Sequence, residues 1–306
     1  MLKSFLFLAF LITYIFNKNY YSPVVKSGTS QKLTEALNLL NDFSNSDNSK
    51  TAISILEDAL QKSTSIEEKA KAEFLLAVAK ANSSAEAQYI EGIKTYKAVA
   101  TNEQYPSYWR ALAYNALASN ALGKGDNFLR NNIFNTEPFF SMLSNSGPSS
   151  PTDIKSGAFS AAIRKLSEKS DELYPTVLPN LRIAYWYSGN LLTNKVDPYL
   201  TESEVDSFRK NLDSRFAKAN NLLKGTDLSK WDDDELVITN FLQALIWSNE
   251  YALSGSADAK KTAEAVFEKT MVIYNKVFRE HNRLLAIPFE YAAFLANIYG
   301  KEKSAD

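Results

Sequence analysis

The sequence predicts an all-α protein built from antiparallel helical hairpins. From Tyr89 to Ala100, apolar residues recur at spacings of three and four, which places one apolar stripe along a helix. A second helical pattern follows Pro106 and runs to Gly123, a residue type that suits a helix C-terminus. No sustained alternation of apolar and polar residues is bounded by Asn-Gly or Asp-Gly turns, so strands are not expected.

The central hairpin carries a start signal and a close-packing face. Ser83 and Glu86 stand three residues apart, as in a capping box at a helix N-terminus. The helix after Pro106 includes small residues that permit close approach, namely Ala113, Ala116 and Ala118. We therefore expect the two helices to pack against each other in antiparallel orientation.

Weaker helical patterns follow the same periodicity along the rest of the chain. They predict helices at 51–62, 66–81, 158–173, 205–223, 234–253, 258–279 and 284–299. Ser65 with Glu68 and Thr201 with Glu204 supply capping-box patterns before two of them. Gly300 is expected to stop the last helix.

Two short motifs in the central hairpin resemble tetratricopeptide repeats. Gly92, Tyr96 and Val99 have the small, aromatic and small-apolar spacing of that family's second helix. The family's opening W-x-x-L-G signature is resembled, with alanine in place of glycine, by Trp109, Leu112 and Ala113. The resemblance implies a solenoid of stacked hairpins in which the first helix of each hairpin lines a concave face.

That resemblance nominates a groove for a protein or peptide partner. Its candidate residues are Arg110, Tyr114 and Leu117 in the central hairpin, and Tyr185, Trp186 and Tyr187 in a later helix. The aromatic side chains could grip apolar anchors or stack on sugars, and core packing is the alternative explanation for most of them. Three consecutive helical residues cannot face one side, so at least one of the 185–187 aromatics must point away or lie between layers.

Length and composition suit one continuous helical-repeat domain over residues 31–306, with an insertion at 123–156. The 306-residue chain is 45% hydrophobic, with 18 Phe and 16 Tyr, which is ample for a core. A net charge of −1 provides no basic stripe, so no nucleic-acid partner is expected. The chain has no cysteine, which excludes disulfides, Cys-ligated zinc and thiol nucleophiles.

Residues 1–21 predict that the protein is attached to a membrane or exported. Lys3 precedes an apolar run from Phe5 to Phe16, shorter than the ~20 residues that span a bilayer comfortably. No Ala-x-Ala cleavage motif follows, and Tyr20 and Tyr21 suit a membrane interface. The segment is therefore a signal anchor or a cleaved signal peptide, and a buried core helix is the third possibility. Residues 22–30 then form a tether, with the body extracytoplasmic, or secreted or periplasmic after cleavage.

The 123–156 insertion is rich in aromatic residues and ends in a run of Ser, Gly and Pro. One interpretation is an irregular helix packed onto the hairpins, followed by a surface loop. The other is a flap that covers part of the groove and shapes a ligand or peptide site.

Catalytic and metal-binding candidates have simpler structural explanations. His281, the single histidine, lies in a polar junction, and the acidic run at 232–235 stands where a helix begins and complements its dipole. No Gly-rich phosphate loop or Gly-x-Ser-x-Gly motif occurs. The sequence therefore predicts no enzyme, cofactor or metal.

The sequence favours a membrane-tethered or exported scaffold that binds a protein or peptide. A glycan or small-ligand-binding protein is the alternative, followed by an α-helical hydrolase using paired carboxylates such as those near Asp232.

Overall fold

The structure is a computed structural model that describes residues 31–41, 48–83, 85–122, 124–144, 158–228, 233–277 and 286–303. Its regular elements in these ranges are all helical, which confirms the all-α prediction there. The first helices are α1 (Gln31–Asn41), α2 (Asn48–Lys62), α3 (Ile66–Ala81), α4 (Glu86–Thr101), α5 (Ser107–Ala121) and α6 (Asp126–Phe128). A π-helical turn, π1 (Leu129–Ile133), and α7 (Phe139–Ser144) follow. The remaining helices are α8 (Ala158–Leu173), α9 (Val177–Val196), α10 (Glu202–Lys224), α11 (Asp233–Ser254), α12 (Ala257–Val277) and α13 (Ala286–Lys303).

The described chain divides into two compact units, residues 31–179 and residues 180–303. In the first unit, successive helices from α1 to α5 pack on each other, and α8 packs on α5. Short connections join α2 to α3, α3 to α4 and α4 to α5, so these contacting neighbours run antiparallel. The unit is therefore a series of helix pairs, which is compatible with a helical repeat.

Aromatic side chains form the core where α3, α4 and α5 meet. The Phe74 ring lies 5.6 Å from the Tyr96 ring and 5.8 Å from the Trp109 ring, measured between centroids. The polar end of Trp109 is satisfied because its indole Nε1 donates a hydrogen bond to Glu67 Oε1 at 2.7 Å. Tyr105 likewise donates its hydroxyl proton to Glu73 Oε2 at 2.6 Å. Through buried apolar area and hydrogen bonds, these contacts hold α5 and the turn before it against α3.

In the second unit, α9 packs on α10 and α11, and α11 packs on α12. The Phe267 ring of α12 lies 5.2 Å from Tyr291 and 5.3 Å from Phe294, which joins α13 to this group. Lys195 donates to the carbonyl oxygens of Ala252 and Leu253, each at 2.8 Å. These carbonyls lie in the last turn of α11, where a cation supplies the missing hydrogen-bond donors.

Several predicted helix boundaries are confirmed. The helices predicted at 66–81 and 158–173 have these bounds in the structure. Glu68 N donates to Ser65 Oγ at 3.1 Å, as the cap before α3 requires. The second capping box is complete: Glu204 N donates to Thr201 Oγ1 at 3.3 Å, and Thr201 N donates to Glu204 Oε2 at 2.8 Å.

Two boundary predictions are wrong. Helix α4 has Ala85 as its N-cap with no side-chain cap, because Ser83 Oγ accepts instead from Ala85 N at 3.2 Å. Helix α13 continues through Gly300 to Lys303, so that glycine does not stop it. Helix α1, for which the sequence analysis made no prediction, buries Leu33 and Leu40.

Several predictions concern residues that the structure does not describe. The signal or anchor at 1–21, the tether at 22–30, Asp232 and His281 lie outside the described residues. The described α11 begins at Asp233, in agreement with acids at a helix start. From Gln31 onward, in the described ranges, no helix combines the length and apolar character needed to cross a bilayer.

Candidate functional site

The insertion packs onto the first unit where the structure describes it, at 124–144. Its apolar side chains Leu129, Ile133 and Phe134 are buried, and π1 contacts α4 and α5. The π-helical turn is closed by a hydrogen bond from Phe134 N to Leu129 O at 2.9 Å. Such turns are rare in proteins, and those that do occur are often found at functional sites. The described part therefore agrees with the interpretation of an irregular helix packed onto the hairpins.

A lysine and two aromatic rings anchor the start of the insertion. The Lys124 ammonium lies 4.4 Å from the Tyr89 ring centroid and 5.2 Å from the Phe128 ring centroid. Tyr89 in turn donates its hydroxyl proton to Asn120 Oδ1 at 3.1 Å. Burial lowers the pKa of Lys124, against an opposing effect from Glu86. The insertion is thereby attached to both α4 and α5.

A surface cleft of about 390 Å³ lies between α4 and the insertion; we call it the Lys97 cleft. Its α4 side is formed by Lys94, Lys97, Ala98 and Thr101, which share one helix face because they are three, four and seven residues apart. The opposite face of α4 is buried, with Tyr96 and Val99 among its residues. The insertion contributes Asn131, Asn132, Asn135, Thr136, Glu137 and Phe139.

Lys97 is the most constrained charged group in this cleft. Its ammonium donates to Asn132 O at 3.4 Å and to Asn135 Oδ1, and it lies 5.1 Å from the Phe139 ring centroid. Within the described residues, no carboxylate forms an ion pair with it. Burial lowers the pKa of Lys97 to about 8. The cleft therefore contains a positioned positive charge that, among the described residues, contacts only neutral groups.

The other charged groups of the cleft have their own contacts. Lys94 forms an ion pair with Glu91 at 2.7 Å, one turn earlier on α4. Glu137 accepts a hydrogen bond from the Ser141 hydroxyl at 2.5 Å. By contrast, the exposed side chains of Asn131 and Thr136 make no hydrogen bond within the described chain. These two groups are available to hydrogen-bond a ligand.

The predicted groove residues of the central hairpin lie mainly in the interior. Leu117 is fully buried, and Tyr114 is 2% exposed with its ring 5.8 Å from that of Phe139. Arg110 is half-buried, and its Nε donates to Ala100 O at 3.3 Å. Tyr114 thus packs against Phe139, a lining residue of the Lys97 cleft. Of the three predicted residues, only Arg110 has substantial solvent exposure. Its role in partner binding stays a prediction.

The three consecutive aromatics of α9 are distributed over more than one neighbour, as their helical spacing requires. The rings of Trp186 and Tyr187 lie 5.6 Å and 5.1 Å from the Phe208 ring of α10. Burial raises the pKa of the Tyr185 hydroxyl, and the charge of Glu290 on α13 raises it further. Tyr187 is buried, whereas Tyr185 and Trp186 are half-buried. Partner binding by these residues also stays a prediction.

The polar lining of the Lys97 cleft was not predicted from the sequence. A usable signal was present: three asparagines within five residues, at 131, 132 and 135, in a segment whose other residues are largely apolar. A metal centre is not formed by the described ranges, where no group of three His, Asp or Glu side chains is placed to hold an ion. The paired-carboxylate site suggested near Asp232 lies outside them.

In comparisons with protein families, with curated proteins and with solved structures, the chain matches none. The fold is therefore described by its helix pairs alone, and the function of the site is inferred from its own geometry.

Proposed function

We propose that this chain is a non-catalytic, tetratricopeptide-like helical scaffold that binds a peptide segment of a partner protein in the Lys97 cleft. The observation that carries the proposal is the cleft itself, a polar depression between a regular helix and a packed insertion. Binding sites often lie where an irregular segment is held in place by a rigid scaffold. The Lys124 anchor and the buried Phe134 supply that rigidity.

The shape of the cleft favours a peptide over a small molecule. Most of its lining residues are exposed, including Lys94, Ala98, Asn131 and Thr136. Pockets for small ligands commonly bury 70–90% or more of the ligand surface, which an open depression does not achieve. A peptide could insert one side chain here and extend its flanks along α4 and the insertion. The Asn131 amide can both donate and accept, which matches peptide N–H and C=O groups.

Residues 1–21 would place this scaffold at a membrane or export it, with 22–30 as the tether. The proposal rests on the apolar run from Phe5 to Phe16. Alkaline extraction of membranes from cells that express the full chain tests it, with a chain beginning at Ser30 as the comparison. Membrane retention, or release of a shortened mature chain outside the cytoplasm, is expected only for the full chain. Cytoplasmic recovery of both chains would contradict the proposal.

The peptide-binding proposal can be tested with matched substitutions on α4. Ala98→Trp places a large side chain in the cleft, while Ala87→Trp adds the same group at an exposed position outside it. The full chain, kept in mild non-ionic detergent, is screened against a phage-displayed library of random linear peptides. Selected peptides are then synthesised, and their affinities for both variants are measured.

Peptides selected on the unmodified chain should bind Ala87→Trp normally and Ala98→Trp at least about tenfold more weakly, which corresponds to 1.4 kcal/mol. Circular dichroism should be the same for both variants. Failure to select any peptide, or equal binding to both variants, would remove the basis of the proposal. Selective binding of an oligosaccharide array in place of peptides would favour the glycan alternative.

A further inference from the structure

We propose that the Lys97 cleft selects a carboxylate, the side chain of an aspartate or glutamate in the partner segment, which forms an ion pair with the Lys97 ammonium. This inference rests on the proposed function and specifies the chemistry of the bound segment.

The geometry around Lys97 leaves a charge for the ligand to compensate. Its ammonium has three N–H donors, and the described residues supply two oxygen acceptors, Asn132 O and Asn135 Oδ1. Both acceptors are neutral, and the Phe139 ring provides only a cation–π contact at 5.1 Å. A half-buried ammonium without a counterion is destabilised by lost hydration, so an arriving anion recovers energy that the free protein lacks.

The charges of the lining disfavour a doubly charged ligand. Lys94 is already paired with Glu91, and Glu137 contributes one negative charge to the same cleft. Lys97 is therefore the one lining cation, among the described residues, that has no acidic partner. A carboxylate brings one negative charge to Lys97, whereas a phosphate would bring almost two close to Glu137.

The neighbouring groups suit a carboxylate attached to a peptide. On the insertion side, the side chains of Asn131 and Thr136 make no hydrogen bond to any described residue. They can donate to the second carboxylate oxygen or to the adjoining peptide carbonyl, so a charged and a neutral hydrogen bond would act together. Replacing the carboxylate by an amide removes the charge but keeps the shape. A comparison of the two groups therefore tests whether the negative charge is needed for binding.

The titration of Lys97 supplies an independent signature. Without a ligand, Lys97 has a pKa of about 8, so part of its side-chain population is neutral just above physiological pH. Since the ammonium binds the ionised carboxylate, the affinity should be roughly constant between about pH 6 and pH 7 and fall as the pH rises through 8. The other titratable groups of the cleft are Lys94 on α4 and Glu137 before α7.

The test uses two small probes that differ only in charge, N-acetyl-glutamic acid α-methylamide and N-acetyl-glutamine α-methylamide. The full chain is produced with lysine that carries ¹³C at Cε, which leaves the ammonium unmodified, and the Lys97 signal is assigned by its loss in Lys97→Arg. The glutamate probe should shift this signal and raise the pH midpoint of its titration, while the glutamine probe should do neither. Equal responses to both probes, or no response to either, would overturn the inference.

Variants connect this result to the peptides from the library screen. Lys97→Met should weaken binding of an acidic peptide by about tenfold or more and abolish its pH dependence, and Lys97→Arg should retain most of the affinity. Lys94→Met is the matched control, with at most a small loss. If peptides bind in an Ala98→Trp-sensitive way but tolerate Glu→Gln and Asp→Asn changes, the proposed function stands and the carboxylate inference fails. If the glutamate probe binds but no peptide does, the peptide proposal fails and the cleft remains a site for an acidic group.

Discussion

Gly92 of α4 lies directly against the end of α3, at Ala81. A Cβ atom added to Gly92 would lie 2.5 Å from Ala81 N and 2.9 Å from Ala81 Cα. Real Cβ atoms do not approach backbone this closely, so the absence of a side chain permits the two helices to touch here. The first position of the tetratricopeptide-like motif thus has a direct steric role in the hairpin.

Gly92→Ala should destabilise the first unit. Overpacking typically costs about 1–3 kcal/mol, against which alanine gains up to about 1 kcal/mol in helix propensity. Because the obstruction is backbone, which cannot rotate away, we expect a net loss of about 1–2 kcal/mol in urea unfolding. Gly125→Ala is the control, since nothing lies within 4 Å of its added Cβ and φ is −69°. Equal stability of the two variants would contradict the close packing at Ala81.

Leu117 and Arg110 should respond differently to truncation. Leu117 is fully buried, so Leu117→Ala is expected to cost about 2–5 kcal/mol in the free energy of unfolding. Arg110 is half-buried and makes one hydrogen bond to Ala100 O, so Arg110→Ala should cost about 1 kcal/mol. Chemical denaturation of both variants measures the difference. A near-neutral Leu117→Ala would mean that this side chain faces a groove and not the core.

The Thr201 capping box should contribute measurably to the second unit. Thr201→Ala removes the oxygen that accepts from Glu204 N, with an expected cost of about 1 kcal/mol. Ser203→Ala is a matched control in the same turn, because Ser203 is exposed and makes no side-chain hydrogen bond in the described chain. The two variants can be compared by denaturant unfolding followed by circular dichroism. A Thr201→Ala protein as stable as the Ser203→Ala control would show that the cap is dispensable.

The lowered pKa of Lys97 gives a pH dependence of stability with a definite sign. Burial lowers this pKa to about 8 in the folded chain, while the unperturbed value is 10.5. Between these pH values the unfolded state binds more protons at Lys97, so this residue makes stability rise with pH. The effect is weakened by solvent screening, because Lys97 is only half-buried.

The measurement is the difference in unfolding free energy between the unmodified chain and Lys97→Met, taken from pH 7 to pH 10. This difference should move in favour of the unmodified chain as the pH rises, because contributions from other lysines and tyrosines largely cancel. Lys94→Met is the matched control on the same helix, since Lys94 is exposed and paired with Glu91. A flat difference for Lys97→Met would mean that its ammonium is not desolvated.

The amino-acid sequence by itself determined the helical class and much of the local structure. The bounds of α3 and α8, and the caps at Ser65 and Thr201, follow from residues three or four positions apart, whose interactions need no knowledge of the remaining chain. At Ser83 the same pattern failed, because its hydroxyl accepts from the amide of Ala85 instead. Local rules identify such competing bonds but do not decide between them.

Only the tertiary structure decided which faces are buried and where the cleft lies. Lys97 and Asn135 are 38 residues apart, and their contact depends on how the insertion packs on α4. Leu117 fits a groove-lining position by its motif spacing, yet the surrounding helices enclose it completely. Burial is a sum over neighbours from distant segments, so periodicity along one helix distinguishes its faces without specifying what covers each of them.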